Sequence, residues 1–161
     1  FNRIIGGVIM NTTYDEIIDL ALISIEDYRL NSLFQSSPDK FKIVLEGFLI
    51  RGISGFDNCV KDLSDRDDET KTFNFTLDDM EKSILADYTV LAWLDKQIND
   101  VRQITAMLQN KQEAHRYSEA NLLNAKRERR IQIAEDVAQK KTRYGLKNTP
   151  WKDWADGKYE L

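Results

Sequence analysis

Residues 76–101 read TLDDMEKSILADYTVLAWLDKQINDV, and this stretch decides the fold class. Its apolar residues recur at steps of three and four, the spacing that places side chains on one face of an α-helix. Thr76 to Asp79 resembles a capping box, in which side chains bind the free N–H groups at a helix start. The apolar period continues to about Asn110. We therefore predict a long core helix over this region.

The composition favours a mainly helical domain. The chain has 161 residues, of which 42% are hydrophobic, enough for the core of one domain. Only 7 glycines and 2 prolines are present, which favours long helices over the many turns of an all-β fold. We expect a mainly α fold, a helical bundle with long helices and a small β-hairpin or extended loop near residues 59–76.

Two helices are predicted before the core helix. A capping box over residues 13–16 begins the first, and its apolar stripe continues to Tyr28. Ser37 followed by Pro38 suits the start of the second, with the serine hydroxyl as cap. Gly52 and Gly55 are expected to end this second helix.

A short hairpin and a last helix complete the predicted elements. Residues 72–75 alternate in polarity and are predicted to form a short strand, with residues 59–63 as its partner. A second long helix is predicted from about Tyr117 to Tyr144, with Gly145 in the usual terminating position.

Charge is distributed unequally along the chain, whose net charge is −4. Residues 1–100 carry 10 Lys and Arg against 19 Asp and Glu, a net of −9, whereas residues 101–161 carry 13 against 8, a net of +5. We expect a molecule that is polar from end to end. Such a pattern suits docking to copies of itself or to other proteins through complementary surfaces, while nucleic-acid binders are more often basic overall.

The residue inventory argues against catalysis and bound cofactors. Cys59 and His115 are single residues of their type and lie far apart, so a zinc site and an internal disulfide are both excluded. Motifs for phosphate-binding loops, zinc hydrolysis and nucleophile elbows do not occur in the sequence. We predict that the protein is not an enzyme and uses no cofactor.

The densest carboxylates lie between the predicted strands. A calcium loop would need a central glycine and a distant bidentate glutamate, and residues 64–71 contain no glycine. A solvated loop is the favoured interpretation. Its acidic residues are Asp65, Asp67, Asp68 and Glu69.

A basic run lies within the last predicted helix. Contact with phosphate is conceivable, but consecutive helical residues point in different directions, which favours a solvated or subunit-facing helix. The alternative function is a small helical DNA-associated or regulatory protein that uses this helix. The candidate basic surface comprises Lys126, Arg127, Arg129, Arg130, Lys140 and Lys141.

The ends of the chain differ in character from its middle. Residues 1–10 are predicted to be an N-terminal arm or upstream segment, residues 11–147 a helical domain, and residues 148–161 an aromatic C-terminal arm. The arm contains Trp151, Trp154 and Tyr159, which either fold back on their own domain or anchor the arm on a neighbouring chain. The charged composition excludes a membrane-spanning protein.

With the helices placed, the chain resembles the adaptor (head–tail connector) proteins of tailed bacteriophages. The resemblance covers roughly residues 12–148 and excludes both ends. It is carried by residues 14–21, residues 48–53 with Phe56, Asn58 and Cys59, residues 73–77 leading into Trp93 and Leu94, residues 117–121 and residues 144–146.

This resemblance implies a structural protein of the virion neck, made in the cytoplasm of the bacterial host. Members of this family form a ring of about twelve copies beneath the portal protein. The ring joins the portal to tail or head-closure proteins, and double-stranded DNA passes through it without sequence-specific contact. No catalytic residues come with the family.

Overall fold

The computed structural model describes residues 11–25, 28–107, 113–151 and 155. Residues 1–10, Trp154 and Tyr159 lie outside these ranges, as does the side chain of His115. The described part is mainly helical with one two-stranded antiparallel sheet, which confirms the predicted fold class. The elements are α1 (Tyr14–Leu22), α2 (Tyr28–Ser36), α3 (Pro38–Ile53), β1 (Arg66–Asp67), β2 (Thr72–Phe73), α4 (Asp79–Met107) and α5 (Glu113–Asn148).

Helix α4 is the centre of the molecule, as the sequence predicts. Helices α1, α3 and α5 all pack against it, and α2 packs on α3. Ile84, Leu85, Val90 and Leu94 are almost completely buried because α4 is covered on several sides. None of the described helices is long and apolar enough to cross a membrane.

The first predicted helix is correct at its start and wrong at its end. Thr13 and Glu16 form the full capping box, with the Thr13 hydroxyl accepting from the Glu16 N–H and the Glu16 carboxylate accepting from the Thr13 N–H. The helix does not continue to Tyr28. A turn after Leu22 instead brings Ile25 into the core, and Tyr28 begins the separate helix α2.

Helix α3 begins at Pro38 as predicted, and the two glycines near its end lie against α4. The Ser37 side chain makes no capping hydrogen bond. Gly52 lies inside the helix, and a Cβ there would lie 2.9 Å from the Tyr88 carbonyl carbon. A Cβ on Gly55 would lie 2.3 Å from the Tyr88 ring. Both glycines permit close approach to α4. The prediction is wrong for Gly52, which lies inside the helix, whereas the helix does end at Ile53, with Ser54 as its C-cap and Gly55 directly after it.

The hairpin lies within residues 59–76, but its predicted pairing is wrong. Strand β1 is Arg66–Asp67, taken from the acidic loop, and it pairs with Thr72–Phe73, while residues 59–63 do not form the partner strand. The segment before α1 extends this small sheet. Thr12 exchanges backbone hydrogen bonds with Phe73 and Phe75, and its hydroxyl accepts from the Leu77 N–H at 2.8 Å.

The start of α4 and the end of α5 differ from the bounds predicted from the sequence. The capping box of α4 lies two residues later, because the Asp78 and Glu81 side chains each accept from the other's N–H at 2.8 Å. Helix α5 continues past Gly145 to Asn148, so this glycine is not a terminator. The 36 residues of α5 span about 54 Å.

Candidate interaction surfaces

The acidic loop is a tight turn built by its own carboxylates. Asp67 accepts from the N–H groups of Glu69 and Thr70, at 2.8 and 3.2 Å, and these bonds lower the pKa of its carboxyl group. Asp65 accepts from the Asn74 side-chain amide at 2.7 Å. Lys71 has a φ of 57°, the left-handed conformation that lets the chain reverse direction. The loop therefore stabilises the hairpin.

Asp68 connects this loop to the core of the molecule. Its carboxylate accepts from the hydroxyl of the buried Tyr14 at 2.8 Å, and this bond lowers the pKa of Asp68. Burial and the bond to Asp68 raise the pKa of Tyr14. Asp65 and Glu69 are exposed. Within the described ranges no group of three or more His, Cys, Asp or Glu side chains could hold a metal ion.

Most of the candidate basic residues face the rest of their own chain. Arg130 pairs with Asp95 at 2.5 Å, Lys140 pairs with Asp87, and Lys141 pairs with Asp57. Each pair joins a cation of the positive C-terminal part to an anion of the negative N-terminal part. These charges of opposite sign therefore neutralise one another where the helices pack. They do not contribute to the predicted separation of charge between the two ends of the molecule.

Three other cations of the set differ in their surroundings. Lys126 donates to the side-chain carbonyl of Gln97 at 2.7 Å, and Arg129 donates to the backbone carbonyl of Ser24 at 2.9 Å. Arg127 makes no ion pair with the described residues. The basic run therefore wraps around α5, and only part of it faces solvent.

A buried polar cluster, which no sequence pattern above predicts, surrounds Tyr144. The Tyr144 hydroxyl donates to Glu81 Oε1 at 2.8 Å and accepts from the Val60 N–H at 3.1 Å. The other Glu81 oxygen accepts from Lys61 Nζ at 2.6 Å. Both Glu81 and Tyr144 are 1% exposed. In the sequence, Tyr144 marks only the predicted end of the last helix, and nothing in the local pattern points to Glu81 as its partner.

This cluster holds the end of α5 on the start of α4. The Cys59 sulfur lies 3.7 Å from the Tyr144 hydroxyl, and burial raises the pKa of the Cys59 thiol. Burial also raises the pKa of Tyr144. Every polar atom of the Glu81 and Tyr144 side chains has a hydrogen-bond partner, which is the arrangement expected of a structural polar network.

The aromatic arm is described only at its base. Trp151 is 55% exposed, and its indole N–H donates to the Leu146 carbonyl at 2.9 Å. Trp154 and Tyr159 lie outside the described residues. The base of the arm thus presents a large apolar ring next to the exposed Leu146 side chain.

Two concave surfaces flank the α4–α5 pair. One, of about 330 Å³, is lined mainly by polar residues such as Arg129, Asp136 and Lys140. The other, of about 800 Å³, is a groove with Leu91 and Val137 among its lining residues.

Large apolar side chains remain exposed in two parts of the described structure, the segment from α1 to α3 and helix α5. Those in the first part include Ile23, which is 80% exposed, and those on α5 include Ile131, which is 56% exposed. The full set is Leu20, Ile23, Phe34, Ile43, Ile50, Val60, Leu122, Ile131, Leu146 and Trp151.

The chain matches no protein-family model, and comparisons with curated proteins and with solved structures find no significant match.

Proposed function

We propose that this protein is a ring-forming head–tail adaptor of a tailed bacteriophage, a structural component of the virion neck. About twelve copies would surround a channel for double-stranded DNA. The ring would join the portal protein to tail or head-closure proteins. The resemblance over residues 12–148 supports this proposal, and the exposed apolar surface supports it independently.

The observation that carries the proposal is the placement of exposed apolar side chains on two different helices, α3 and α5. A closed ring needs a head-to-tail interface, in which one surface of each copy meets a different surface of the next copy. Ile43 and Ile131 are exposed on α3 and α5, two helices that each pack on α4, so they can serve as two such surfaces. An isolated exposed apolar residue is normal for a monomer, but two separate faces of one small domain suit ring assembly.

The residues that carry the resemblance have packing roles in the structure. Tyr14, Ile17 and Ala21 form the buried face of α1, and Gly52 permits α3 to approach α4. Tyr144 fixes the end of α5. Such a set suits a structural subunit whose function depends on its shape and surface.

The test is self-assembly of the purified chain, alone and with purified portal rings. We expect light scattering and native mass spectrometry to show a closed oligomer, formed by the chain alone or on the portal, and electron microscopy to show a ring coaxial with the portal. A chain that stays monomeric at high concentration and ignores portal rings would contradict the proposal.

The alternative of a DNA-associated or regulatory protein has less support from the geometry. Arg130, Lys140 and Lys141 already pair with carboxylates of their own chain, which reduces the positive field they present. This alternative predicts tight DNA binding that weakens steeply with salt and with neutralisation of Arg127. An adaptor should show only weak, sequence-independent binding.

A further inference from the structure

Gly47 is a mid-helix glycine for which the described structure shows no internal reason. A Cβ at this position would meet nothing within 4 Å, in contrast to Gly52 and Gly55, where a Cβ would press on Tyr88. A glycine in the middle of a helix lowers its stability relative to alanine. Its usual compensation is close approach of another backbone, and no other described segment lies against Gly47.

The glycine lies in an exposed apolar stripe. Ile43 and Ile50 are 66% and 38% exposed, and they lie one turn before and one turn after Gly47 on the same face of α3. We call residues 43, 47 and 50 the α3 stripe. Its shape, with two apolar side chains and a gap between them, fits the side chains of another helix.

The outer face of α5 carries one exposed isoleucine between two glutamates. Glu128, Ile131 and Glu135 are all exposed and lie at steps of three and four, so they share one face. Glu128 is about two and a half turns from the buried Val137, so this face points away from α4. We call residues 128, 131 and 135 the α5 stripe.

The charges beside the two stripes are complementary in the same order along both helices. Asp39, Lys40 and Ile43 have the same spacing as Arg127, Glu128 and Ile131, with each charge reversed. When Ile43 is aligned with Ile131, Glu135 on α5 lies level with Gly47 on α3. Arg51 lies one turn after Gly47. None of these six charged side chains forms an ion pair with a described residue.

We propose that α3 of one copy packs parallel to α5 of the next copy, with the α3 stripe against the α5 stripe. Ile43 meets Ile131, the gap at Gly47 receives the backbone near Glu135, and Lys40 and Arg51 pair with the two glutamates. The two stripes belong to different surfaces, so the contact is head-to-tail and propagates around a ring. This inference rests on the proposed self-assembly and specifies its interface.

The first experiment is disulfide cross-linking in a Cys59→Ser background. The double variant Ile43→Cys, Ile131→Cys is expected to give a ladder of covalent oligomers on oxidation, since each copy carries one half of each bridge. Either single variant should give no ladder beyond a dimer. Rings that form normally while the double variant cross-links no better than the singles would overturn the inference but leave the adaptor function intact. Absence of any assembly would instead contradict the adaptor function.

The second experiment is charge reversal. Lys40→Glu and Glu128→Lys should each weaken self-association by about tenfold or more, and the two together should restore it. Gln103→Lys on the exposed end of α4 is the matched control and should not weaken assembly. The inference would be overturned if the affinity of self-association in the double variant were reduced by the product of the two single-variant reductions.

Gly47→Leu separates assembly from folding. In dilute, unassembled protein the variant should unfold at the same temperature as the unmodified chain or higher, because an added Cβ meets nothing within 4 Å and leucine favours a helix more than glycine does. It should nevertheless fail to assemble. Assembly unchanged by Gly47→Leu would overturn the inference.

Discussion

A single side chain, Tyr144, makes a buried hydrogen bond between helices α5 and α4. Its hydroxyl supplies one donor to the buried Glu81 carboxylate, and without it that oxygen has no equivalent partner. Tyr14 is equally buried, but its partner Asp68 has a side chain that is 65% exposed and can bind water instead. The same chemical change should therefore have unequal effects at the two positions.

We expect Tyr144→Phe to lower the free energy of unfolding by about 2 kcal/mol, because a buried acceptor loses its donor. Tyr14→Phe should lower it by about 1 kcal/mol or less, since solvent compensates Asp68. Urea denaturation followed by circular dichroism measures both. Equal losses for the two variants would show that burial of the acceptor does not control the cost.

Gly47 and Gly52 should respond in opposite ways to replacement by alanine, because one site is open and the other is crowded. Gly47→Ala should raise the free energy of unfolding of one copy by up to about 1 kcal/mol, because alanine favours helix and the site is open. Gly52→Ala should lower it, because the added Cβ meets the backbone of Tyr88 and Thr89 at 2.9 and 3.0 Å. Thermal unfolding of dilute protein checks the opposite signs.

At the scale of elements, helix α5 is held on α4 by a polar seam as well as by apolar packing. Lys141 reaches both the Asp57 carboxylate and the Gly55 carbonyl, and it lies 5.9 Å from the centre of the Tyr88 ring. Its side chain is 22% exposed. It is therefore the cation of this seam that is least accessible to solvent among Arg130, Lys140 and Lys141.

Lys141→Met should lower the free energy of unfolding by about 1 kcal/mol, through loss of the ion pair and of the bond to the backbone carbonyl. Arg127→Met, which removes a cation without a described partner, should change stability by less than about 0.5 kcal/mol. Urea unfolding of the two variants tests the distinction. A larger loss of unfolding free energy for Arg127→Met than for Lys141→Met would show that the contacts of Lys141 do not hold α5 on α4.

The carboxyl group of Asp78, at the start of α4, should make the stability of the fold depend on pH. Burial raises the pKa of Asp78, but the bonds from the Glu81 N–H and Lys147 outweigh it, so the pKa lies below its ordinary value of 3.8. A carboxyl group whose pKa is lower in the folded state stabilises the fold above its ordinary pKa, and this contribution is lost as pH falls through the lowered value.

Asp78→Asn should therefore be destabilising at neutral pH, and the difference from the unmodified chain should shrink as pH falls below about 3.8. Urea titrations at several pH values provide the comparison. A difference that is constant with pH would show that the charge of Asp78 contributes nothing to the cap.

The elements also show where sequence reasoning succeeds. The start of α1 is predictable because a capping box involves residues only three positions apart. The strand pairing is not, because it depends on Tyr14 and Thr12 approaching the acidic loop from elsewhere in the chain. The roles of Gly52 and the α5 cations likewise depend on which helix faces meet, which no local pattern specifies.

At the scale of the whole molecule, the aromatic arm is a candidate contact with another protein. Trp151 is more than half exposed, so its removal should cost the fold little. In the triple variant Trp151→Ala, Trp154→Ala, Tyr159→Ala, we expect the unfolding temperature and ring formation to be retained and attachment to the portal or to tail proteins to be lost. Co-sedimentation with portal rings measures this, and full attachment of the variant would exclude the arm as an anchor.

The distance along the chain between Glu81 and Tyr144, 63 residues, also affects biosynthesis. The ribosome completes α4 at Met107 and needs about 2 to 7 seconds more to add the residues up to Tyr144. During this interval Glu81 lacks its tyrosine donor, and the face of α4 that α5 will cover is open to water. Native packing of α5 on α4 therefore cannot finish before Tyr144 has been synthesised, and until then this face of α4 is exposed to aggregation.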